Sequence, residues 1–171
     1  MHGIDDPRFC RACGAALRSL AGEGPPRWRC TACDRPTYRN PAVGVAVVIV
    51  AGDTILLGRR GRGRYRERWC VPCGYVEWDE DLRDAACREM REETGLHVDL
   101  GEVIAVHSNF HDRSAQTVGV WFSGRIVGGT LGAGDDLDRL GYFALADPPP
   151  LAFPTDAQVI AMLAARRRRS P

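Results

Sequence analysis

The stretch from Gly74 to Leu96 constrains the fold most, because it carries a helix start, a helix stop and regularly spaced carboxylates. Residues 79–81 are all acidic, and carboxylates stabilise the first turn of a helix at the positive end of its dipole. Gly95 is placed to end the helix, since glycine adopts the left-handed conformation at little cost. The apolar residues between these ends recur at helical spacing: Leu82, Ala85, Ala86 and Met90. The stretch therefore predicts one amphipathic helix.

Carboxylates lie on the apolar side of this predicted helix. Glu89, Glu92 and Glu93 are related by i, i+3 and i+4 and share a face. At about 100° per residue, Glu89 and Glu93 fall on the same side as the apolar stripe. A charge run on a helix is usually a solvated face, but a carboxylate that faces a core must be paired or bind a metal. Because hard cations such as Mg²⁺ and Mn²⁺ take oxygen ligands, the pattern predicts a divalent-metal site.

The same stretch resembles the Nudix box, the signature of hydrolases that cut diphosphates linked to a nucleoside. Every fixed position is filled, by Gly74, Glu80, Arg88, Glu89, Glu92, Glu93 and Gly95. The resemblance implies a fold of the α/β class, a Nudix α/β/α sandwich. It also implies an enzyme, a Nudix pyrophosphatase that hydrolyses phosphorus-containing acid anhydrides.

The resemblance further implies roles for the box residues. Glu89, Glu92 and Glu93 are expected to hold one or more catalytic Mg²⁺ (or Mn²⁺) ions against the diphosphate. The backbone carbonyl of Gly74 is a further expected ligand. Arg88 falls on a different face of the helix and is expected to orient the carboxylates through ion pairs. The alternative is that Arg88 contributes through its backbone only and its side chain has no role in the site.

The general base and the substrate contacts are expected outside the box helix. An acidic loop ahead of a later strand offers Asp136 and Asp138 as a base or as further metal ligands, unless the loop is a solvated turn. Glu77 is a further acid near the expected metal and substrate. Arg59 and Arg60 begin an arginine-rich loop, which either binds substrate phosphate in bidentate fashion or is solvated and flexible. Three aromatic residues either stack on a base or pack in the core: Phe110, Trp121 and Tyr142.

Four of the seven cysteines have the spacing of a zinc ribbon. They form two C-x₂-C pairs with sixteen residues between the pairs: Cys10 and Cys13, then Cys30 and Cys33. This spacing is typical of a structural Zn²⁺ site, in which four thiolates leave no open position for substrate. Two disulfides or four idle thiols are the alternatives, and disulfides are less expected because the chain shows no secretion signal.

The other three cysteines, Cys70, Cys73 and Cys87, form a second set. The C-x-x-C pair of Cys70 and Cys73 invites a redox interpretation. Packing as small buried side chains is the favoured interpretation, because free cysteine behaves as a small hydrophobe.

The chain is expected to divide into four segments. These are a zinc ribbon (1–36), a connector (37–41), a Nudix hydrolase domain (42–165) and a basic tail (166–171). Ala42–Val50 and Thr54–Gly58 are predicted to pair as a hairpin, and further strands are predicted at 98–108, 116–127 and 140–145. A C-terminal helix is predicted to open at Pro154, with Thr155 or Asp156 as its cap.

Length and charge limit the partners. The 171 residues carry 23 basic and 22 acidic side chains, so no global field attracts a nucleic acid or a membrane. No apolar run approaches the length of a membrane span, and the first 20 residues are too polar for a signal peptide. We therefore expect a cytoplasmic protein with a small-molecule nucleotide substrate and no membrane partner. The resemblance implies a homodimer.

The predicted ribbon, followed by Tyr38, Asn40 and Pro41, resembles a ribbon-bearing subset of the family that includes ADP-ribose and FAD pyrophosphatases. NADH pyrophosphatases are a second such group, but the motif they carry after the box is absent from residues 107–111. We expect metal-dependent hydrolysis of the diphosphate linkage of a nucleoside diphosphate derivative (ADP-ribose, FAD or a similar dinucleotide), releasing a nucleoside monophosphate. The alternatives are an NADH or NAD-cap pyrophosphatase acting on RNA ends, and a ligand-sensing Nudix protein that binds nucleic acid.

Overall fold

The structure is a computed structural model that describes residues 7–20, 27–112 and 114–169. Contacts between Cα atoms divide the chain into two compact units, residues 1–41 and 42–171. The finer predicted boundaries, at residues 36 and 165, stay predictions. Within the described ranges, no helix is long and apolar enough to cross a membrane.

The first unit is a small antiparallel sheet in the order β1-β2-β3. Its strands are β1 (Leu17–Leu20), β2 (Arg27–Cys30) and β3 (Pro36–Thr37). Gly14 and Asp34 follow the two cysteine pairs and adopt the left-handed conformation, with φ of 72° and 57°. Glycine adopts this conformation freely and aspartate tolerates it, so each pair lies on a tight turn. Thr37 pairs with Trp28, so the sheet includes the first residue of the predicted connector.

The second unit contains eight strands and two helices in the part of the chain that the structure describes. The strands are β4 (Ala42–Val48), β5 (Val50–Ala51), β6 (Thr54–Arg60), β7 (Trp69–Cys70), β8 (Cys73–Tyr75), β9 (Leu96–Asn109), β10 (Thr117–Gly129) and β11 (Leu137–Ala144). The helices are α1 (Leu82–Thr94) and α2 (Pro154–Arg169). One sheet has the order β8-β4-β10-β9, with β4 and β10 parallel. The other has the order β11-β6-β5, with β7 also on β6.

Helix α1 ends at the predicted glycine, but it begins at Leu82, so the acidic residues 79–81 precede the helix and do not form its first turn. The side chain of Asp81 accepts a hydrogen bond from the backbone N–H of Arg83, as an N-cap does. Gly95 ends the helix in the left-handed conformation, at φ 69°, and its N–H donates to the carbonyl of Arg91. The buried face of the helix carries Ala85, Ala86, Met90, Glu93 and Thr94.

Alternate residues of the central strands face two different helices. Ala46 and Val48 of β4 belong to the apolar cluster that contains Val159 and Ile160 of α2. The intervening residues of β4, Val45 and Val47, belong to the cluster that contains Ala85, Ala86 and Met90 of α1. Because side chains alternate along a strand, both faces of β4 are covered by a helix. The predicted α/β/α sandwich is therefore confirmed.

The predicted hairpin between Ala42–Val50 and Thr54–Gly58 forms only next to its turn, where Val50 and Ala51 pair with Ile55 and Thr54. Strand β4 pairs with β10 and β8, which occupy both of its edges. Strand β4 itself does not pair with β6, because the chain passes from one sheet to the other near Ile49, between β4 and β5. A strand that is buried on both faces belongs at the centre of a sheet, with a neighbour on each edge, and the β-branched run of β4 has this position. A simple two-stranded hairpin would leave one edge of this strand unpaired.

The predicted cap of α2 is wrong. The helix begins at Pro154, so Thr155 and Asp156 lie in its first turn. Their side chains bind other elements: Thr155 donates to Asn109 at 2.7 Å, and Asp156 accepts from the backbone N–H of Val71 at 3.0 Å. The two side chains therefore hydrogen-bond to residues distant in sequence and do not cap the helix.

Candidate active site

The second unit holds a pocket of about 510 Å³ between the ends of β4, β8 and β10, helix α1 and the start of α2. Ligand pockets commonly span about 300–1,000 Å³, so this one accommodates a nucleotide-sized molecule. Its acidic lining residues are Glu77, Glu89, Glu93, Asp112, Asp135, Asp136 and Asp156. Its aromatic lining residues are Tyr65, Tyr75, His111, Trp121 and Phe153. One pocket therefore combines a carboxylate-rich region with aromatic rings.

The carboxylate of Glu89 lies against the backbone of β8 at Gly74. A Cβ atom added to Gly74 would stand 1.9 Å from the Cδ of Glu89. No side chain fits in that space, so glycine is required for Glu89 to adopt this position. Burial raises the pKa of Glu89, and its ion pair with Arg88 opposes that rise.

Arg88 binds three glutamates and one backbone carbonyl. Two nitrogens of its guanidinium donate to the two carboxylate oxygens of Glu80, at 2.7 and 2.9 Å. The same side chain donates to Glu89 at 2.7 Å, to Glu92 at 3.1 Å and to the carbonyl of Tyr75 at 3.0 Å. Chiefly because of the bond from Arg88, the pKa of Glu80 is lowered to about 2. Arg88 thus ties helix α1 to the strand and loop that precede it.

Glu93 is buried, with 1% of its surface exposed. Its carboxylate accepts a hydrogen bond from the backbone N–H of Cys73 at 2.8 Å. Burial raises the pKa of Glu93 well above its usual range, and the neighbouring Cys73 and Asp136 raise it further. Such a group of desolvated acids is stabilised by a bound cation.

The arginine-rich loop pairs with aspartates across the pocket rim. Arg59 binds Asp138 through two bonds of 2.8 Å, and Arg60 binds Asp136 at 2.5 Å. Two further pairs of the same kind are Arg62 with Asp135 and Arg64 with Asp112. Arg60 and Asp136 line the pocket, whereas Arg59 and Asp138 do not. The loop is therefore engaged with carboxylates along most of its length.

Comparisons with known proteins agree with this geometry. Residues 39–163, nearly three quarters of the chain, match the NUDIX domain. The chain belongs to the NUDIX family. The ADP-ribose pyrophosphatase of Methanocaldococcus jannaschii is 34% identical over 117 residues, which cover 68% of this chain and 69% of that protein. The NAD-capped RNA hydrolase NudC of Pseudomonas putida (strain GB-1) is 28% identical over 152 residues, which cover 84% of this chain and 50% of NudC.

A solved structure supports the same assignment. The crystal structure of a NUDIX hydrolase from Nitrosomonas europaea superposes with a TM-score of 0.82 and 26% sequence identity. It covers 96% of this chain, and the chain covers 94% of it. The chain spans only about half the length of the NudC relative named above. The prediction of a Nudix pyrophosphatase is confirmed by the family and by these relatives.

Two of the three Nudix box glutamates of the predicted metal site line the pocket, and the third does not. Glu89 and Glu93 line the pocket with Asp135 and Asp136, whereas Glu92 is half-exposed beside Arg88. Carboxylate oxygens are the ligands that Mg²⁺ and Mn²⁺ prefer, so the acidic lining of the pocket fits such an ion. The assignments of individual box residues as metal ligands stay predictions.

The four cysteines of the first unit lie together. Their sulfur atoms are all within 4.8 Å of one another, with separations such as 3.5 Å between Cys13 and Cys30. Disulfide sulfurs lie about 2.05 Å apart, so these are free thiols and the disulfide alternative is wrong. The backbone amides of Ala32 and Cys33 donate to the sulfur of Cys30, and these bonds lower the pKa of that thiol to about 6. Thiolates bind metals, so the cluster fits the predicted ribbon.

Several pocket residues were missed in the sequence analysis. The rings of Tyr65, His111 and Phe153 contact one another, with centroid separations of 5.3 to 5.8 Å. Buried Asp156 accepts hydrogen bonds from Val71 and from the indole N–H of Trp121, and burial raises its pKa to about 7. No local pattern marks these residues, because they come from segments far apart in the chain.

The remaining predicted residues have mixed outcomes. Trp121 lines the pocket but is only 4% exposed and belongs to the apolar cluster packed against α2, so the core-packing alternative is confirmed for this residue. Phe110 and Tyr142 are 64% and 40% exposed and do not line it. Cys73 is hydrogen-bonded to Cys70, and this bond together with burial raises the pKa of Cys73 well above its usual range. A raised pKa disfavours the reactive thiolate, which agrees with the packing interpretation.

Proposed function

We propose that the protein hydrolyses the diphosphate linkage of a nucleoside diphosphate derivative, such as ADP-ribose, FAD or a similar dinucleotide. The reaction would depend on Mg²⁺ or Mn²⁺ and release a nucleoside monophosphate. The observation that carries the proposal is the combination of acidic and aromatic linings in one pocket of about 510 Å³. A dinucleotide-like substrate has the matching combination of a charged diphosphate and flat rings.

The acidic lining supports the hydrolytic part of the proposal. We assign Glu89, Glu92 and Glu93, with the carbonyl of Gly74, as the residues that would hold the divalent ion. When bound there, the ion would neutralise phosphoryl oxygens and activate a water molecule.

The surrounding residues hold these carboxylates in place. Arg88 braces Glu89 against Glu80, since its guanidinium binds both. The backbone N–H of Cys73 holds Glu93. Of the two proposed bases, Asp136 is favoured over Asp138, because Asp136 lines the pocket and Asp138 does not.

The other lining residues support a substrate that carries a base. The guanidinium of Arg60 lies over the ring of Phe153, 5.7 Å from the ring centroid. Both residues line the pocket. A cation beside an aromatic surface suits a phosphate that is attached to a flat ring. We therefore assign Arg60 to contact both the phosphate and the ring of the substrate. Glu77 also lines the pocket and is a further proposed substrate contact.

The ADP-ribose pyrophosphatase relative supports ADP-ribose as the first substrate to test, because it matches two thirds of both chains. The NudC relatives support a second candidate, the dinucleotide cap of an RNA end. A match that covers 84% of this chain must reach into residues 1–41, so the likeness to NudC extends beyond the catalytic unit.

Further parts of the proposal concern zinc and assembly. We propose that Cys10, Cys13, Cys30 and Cys33 hold a structural Zn²⁺, which elemental analysis would detect at one ion per chain. We also propose a homodimer in the cytoplasm, and analytical ultracentrifugation would measure the oligomeric state.

A substrate panel with Mg²⁺ tests the proposed reaction. The panel comprises ADP-ribose, FAD, NADH, NAD⁺, dinucleoside polyphosphates, nucleoside triphosphates and an NAD-capped RNA, with products separated by chromatography. We expect metal-dependent release of AMP from a dinucleotide-like substrate. Glu93→Gln should reduce the rate by about 10³-fold, the scale observed when one preorganised catalytic group is removed. Glu102→Gln is the matched control, because Glu102 is exposed on β9 and outside the pocket.

The results separate the candidates. A preference for ADP-ribose or FAD over the capped RNA supports the first candidate, and the reverse order supports the second. If the protein hydrolyses no compound in the panel and yet binds a nucleotide tightly, the result would contradict hydrolysis and favour a ligand sensor.

A further inference from the structure

Positive charge is concentrated in the first unit. Residues 1–41 carry seven arginines and four acidic residues, whereas residues 42–171 carry sixteen arginines and eighteen acidic residues. The near-neutral total therefore conceals a basic module. In the part of this unit that the structure describes, Asp34 is the one carboxylate. Charge asymmetry of this kind is typical of a region that binds a polyanion.

Three of these arginines share one face of the small sheet. Arg18 of β1 is directly opposite Arg29 of β2. Arg27 lies two residues before Arg29 on the same strand, and side chains two residues apart point to the same face. The intervening Trp28 and the following Cys30 are buried on the opposite face. The sheet thus turns its apolar and cysteine side inward and its arginines to solvent.

An exposed aromatic ring extends the same face. Phe9 forms a β-bridge with Ala16, which lies two residues before Arg18 on the same side of the chain. The ring of Phe9 is 65% exposed. The face is hereafter called the arginine face, and its members are Phe9, Arg18, Arg27 and Arg29.

We propose that the arginine face binds single-stranded RNA. Guanidinium groups bind phosphates, and an exposed aromatic ring offers a surface on which an unpaired base stacks. RNA is the favoured partner because its unpaired loops and ends present such bases, whereas bases within a duplex are already stacked. The proposal goes beyond the hydrolysis of a dinucleotide, which takes place in the other unit.

Asp34 sets the strength of this surface. Its carboxylate binds Arg29 at 2.7 Å and lies 3.7 Å from Arg18. The side chains of Arg18 and Asp34 are 54% and 69% exposed and that of Arg29 is 37% exposed, so phosphates have access to both guanidinium groups. Asp34 therefore competes with phosphate for the two arginines.

Fluorescence anisotropy with a labelled 20-nucleotide oligouridine tests the proposal on the full-length protein. We expect Arg18→Gln/Arg27→Gln/Arg29→Gln to weaken binding at least tenfold. Each phosphate contact with a single strand contributes about 0.7 to the slope of log K against log salt, so the slope should fall by about 2. The matched control is Arg125→Gln/Arg139→Gln/Arg168→Gln, which removes the same charge from exposed positions of the other unit. It should stay within about twofold of the wild type.

Two single variants test the face in opposite directions. Phe9→Ser should weaken binding about tenfold, as expected when one stacked base loses its partner. Asp34→Asn should strengthen binding about threefold, because the competing carboxylate is gone and asparagine tolerates the positive φ of this position. These variants also give an answer if the triple variant fails to fold.

Several outcomes would overturn the proposal. These are equal losses in the two triple variants, unchanged affinity in both Phe9→Ser and Asp34→Asn, or equal or tighter binding of a duplex or of single-stranded DNA. Metal content and hydrolysis of a small dinucleotide are measured on every variant and should match the wild type. Failure of the wild type to hydrolyse any dinucleotide would count against the proposed function and leave the binding result standing on its own.

Discussion

The two units of this chain reach a folded state by different means. Among the residues of the first unit that the structure describes, Cys10, Trp28 and Cys30 are the buried ones, and the four cysteine sulfurs of the unit lie within 4.8 Å of one another. The second unit has two apolar clusters on either side of its strands. A module of about 40 residues cannot bury enough apolar surface to be stable alone, so the proposed Zn²⁺ would supply much of its folding free energy. A larger unit has no such need.

Arginine also behaves differently in the two units. In the second unit, Arg59, Arg60, Arg62, Arg64 and Arg88 each bind a carboxylate. In the described part of the first unit, seven arginines share a single carboxylate, that of Asp34, which binds Arg29 and lies 3.7 Å from Arg18. The same residue type thus stabilises a site in one unit and forms a candidate binding surface in the other.

Loss of a zinc ligand should have the largest effect and should stay within the first unit. We expect Cys30→Ser to abolish zinc binding and unfold the ribbon, since apparent binding free energies of structural zinc are about 10–16 kcal/mol. Hydrogen exchange should then lose protection in residues 7–20 and 27–41 and keep it in the second unit. Cys87→Ser, at a cysteine outside the cluster, is the control. Loss of protection throughout the chain would show that the units do not fold independently.

Truncation of the α1 core should produce the converse result. Met90 is fully buried, so Met90→Ala should lower the free energy of unfolding of the second unit by about 2–5 kcal/mol. Urea denaturation measures the change, and the zinc content should stay at the wild-type value. Arg125→Gln, which breaks an exposed ion pair, should cost less than about 1 kcal/mol. A similar cost for both variants would contradict the assigned core.

A methyl group at Gly74 should impair the site more than the fold. The added Cβ of Gly74→Ala would overlap Glu89, so the carboxylate must move. Displacement of a catalytic group by about 1 Å costs on the order of 10²-fold in rate. Gly132→Ala is the matched control, because nothing lies closer than 4.0 Å to a Cβ at that position. Activity of Gly74→Ala within threefold of the wild type would remove Glu89 from the site.

The smallest expected effect is a pH dependence from Asp156. Burial raises its pKa to about 7, from about 3.9 in an unfolded chain. Between these values the folded state binds more protons than the unfolded state, so stability falls as pH rises through 7. From pH 6 to pH 8 this group should cost about 1.4 kcal/mol. The check is the difference in pH slope between the wild type and Asp156→Asn, and equal slopes would disprove the assignment.

Local patterns predicted those parts of the molecule that neighbours in sequence decide. The stop at Gly95 and the shared pocket side of Glu89 and Glu93 follow from helix geometry over a few residues, whereas the acidic run 79–81 located the start of the helix only to within one turn. The two cysteine pairs are likewise recognisable, because each C-x₂-C forms its own turn. Such features are determined by residues only a few positions apart in the chain, so a local sequence pattern is enough to predict them.

Strand partners were harder to predict than helix ends. The predicted pairing of β4 with β6 was wrong, because two apolar runs joined by a turn look alike whether or not they share a sheet. Pairing is decided by which edges other strands occupy, here β8 and β10. These strands lie far along the chain, so no local pattern reveals them.

By itself, the sequence determined the box helix, the cysteine cluster and the family. Tertiary structure alone decided that Asp136 meets Arg60, 76 residues away, inside the pocket, whereas Asp138 meets Arg59 outside it. It also brought Tyr65, His111 and Phe153 together. Asp136 and Asp138 are two residues apart, so regular alternation along one strand would turn both to the same face. The physical reason for their separation is that Asp136 precedes β11 and that the register of β11 on β6 shifts between Leu137 and Arg139. Register depends on the packing of the whole sheet.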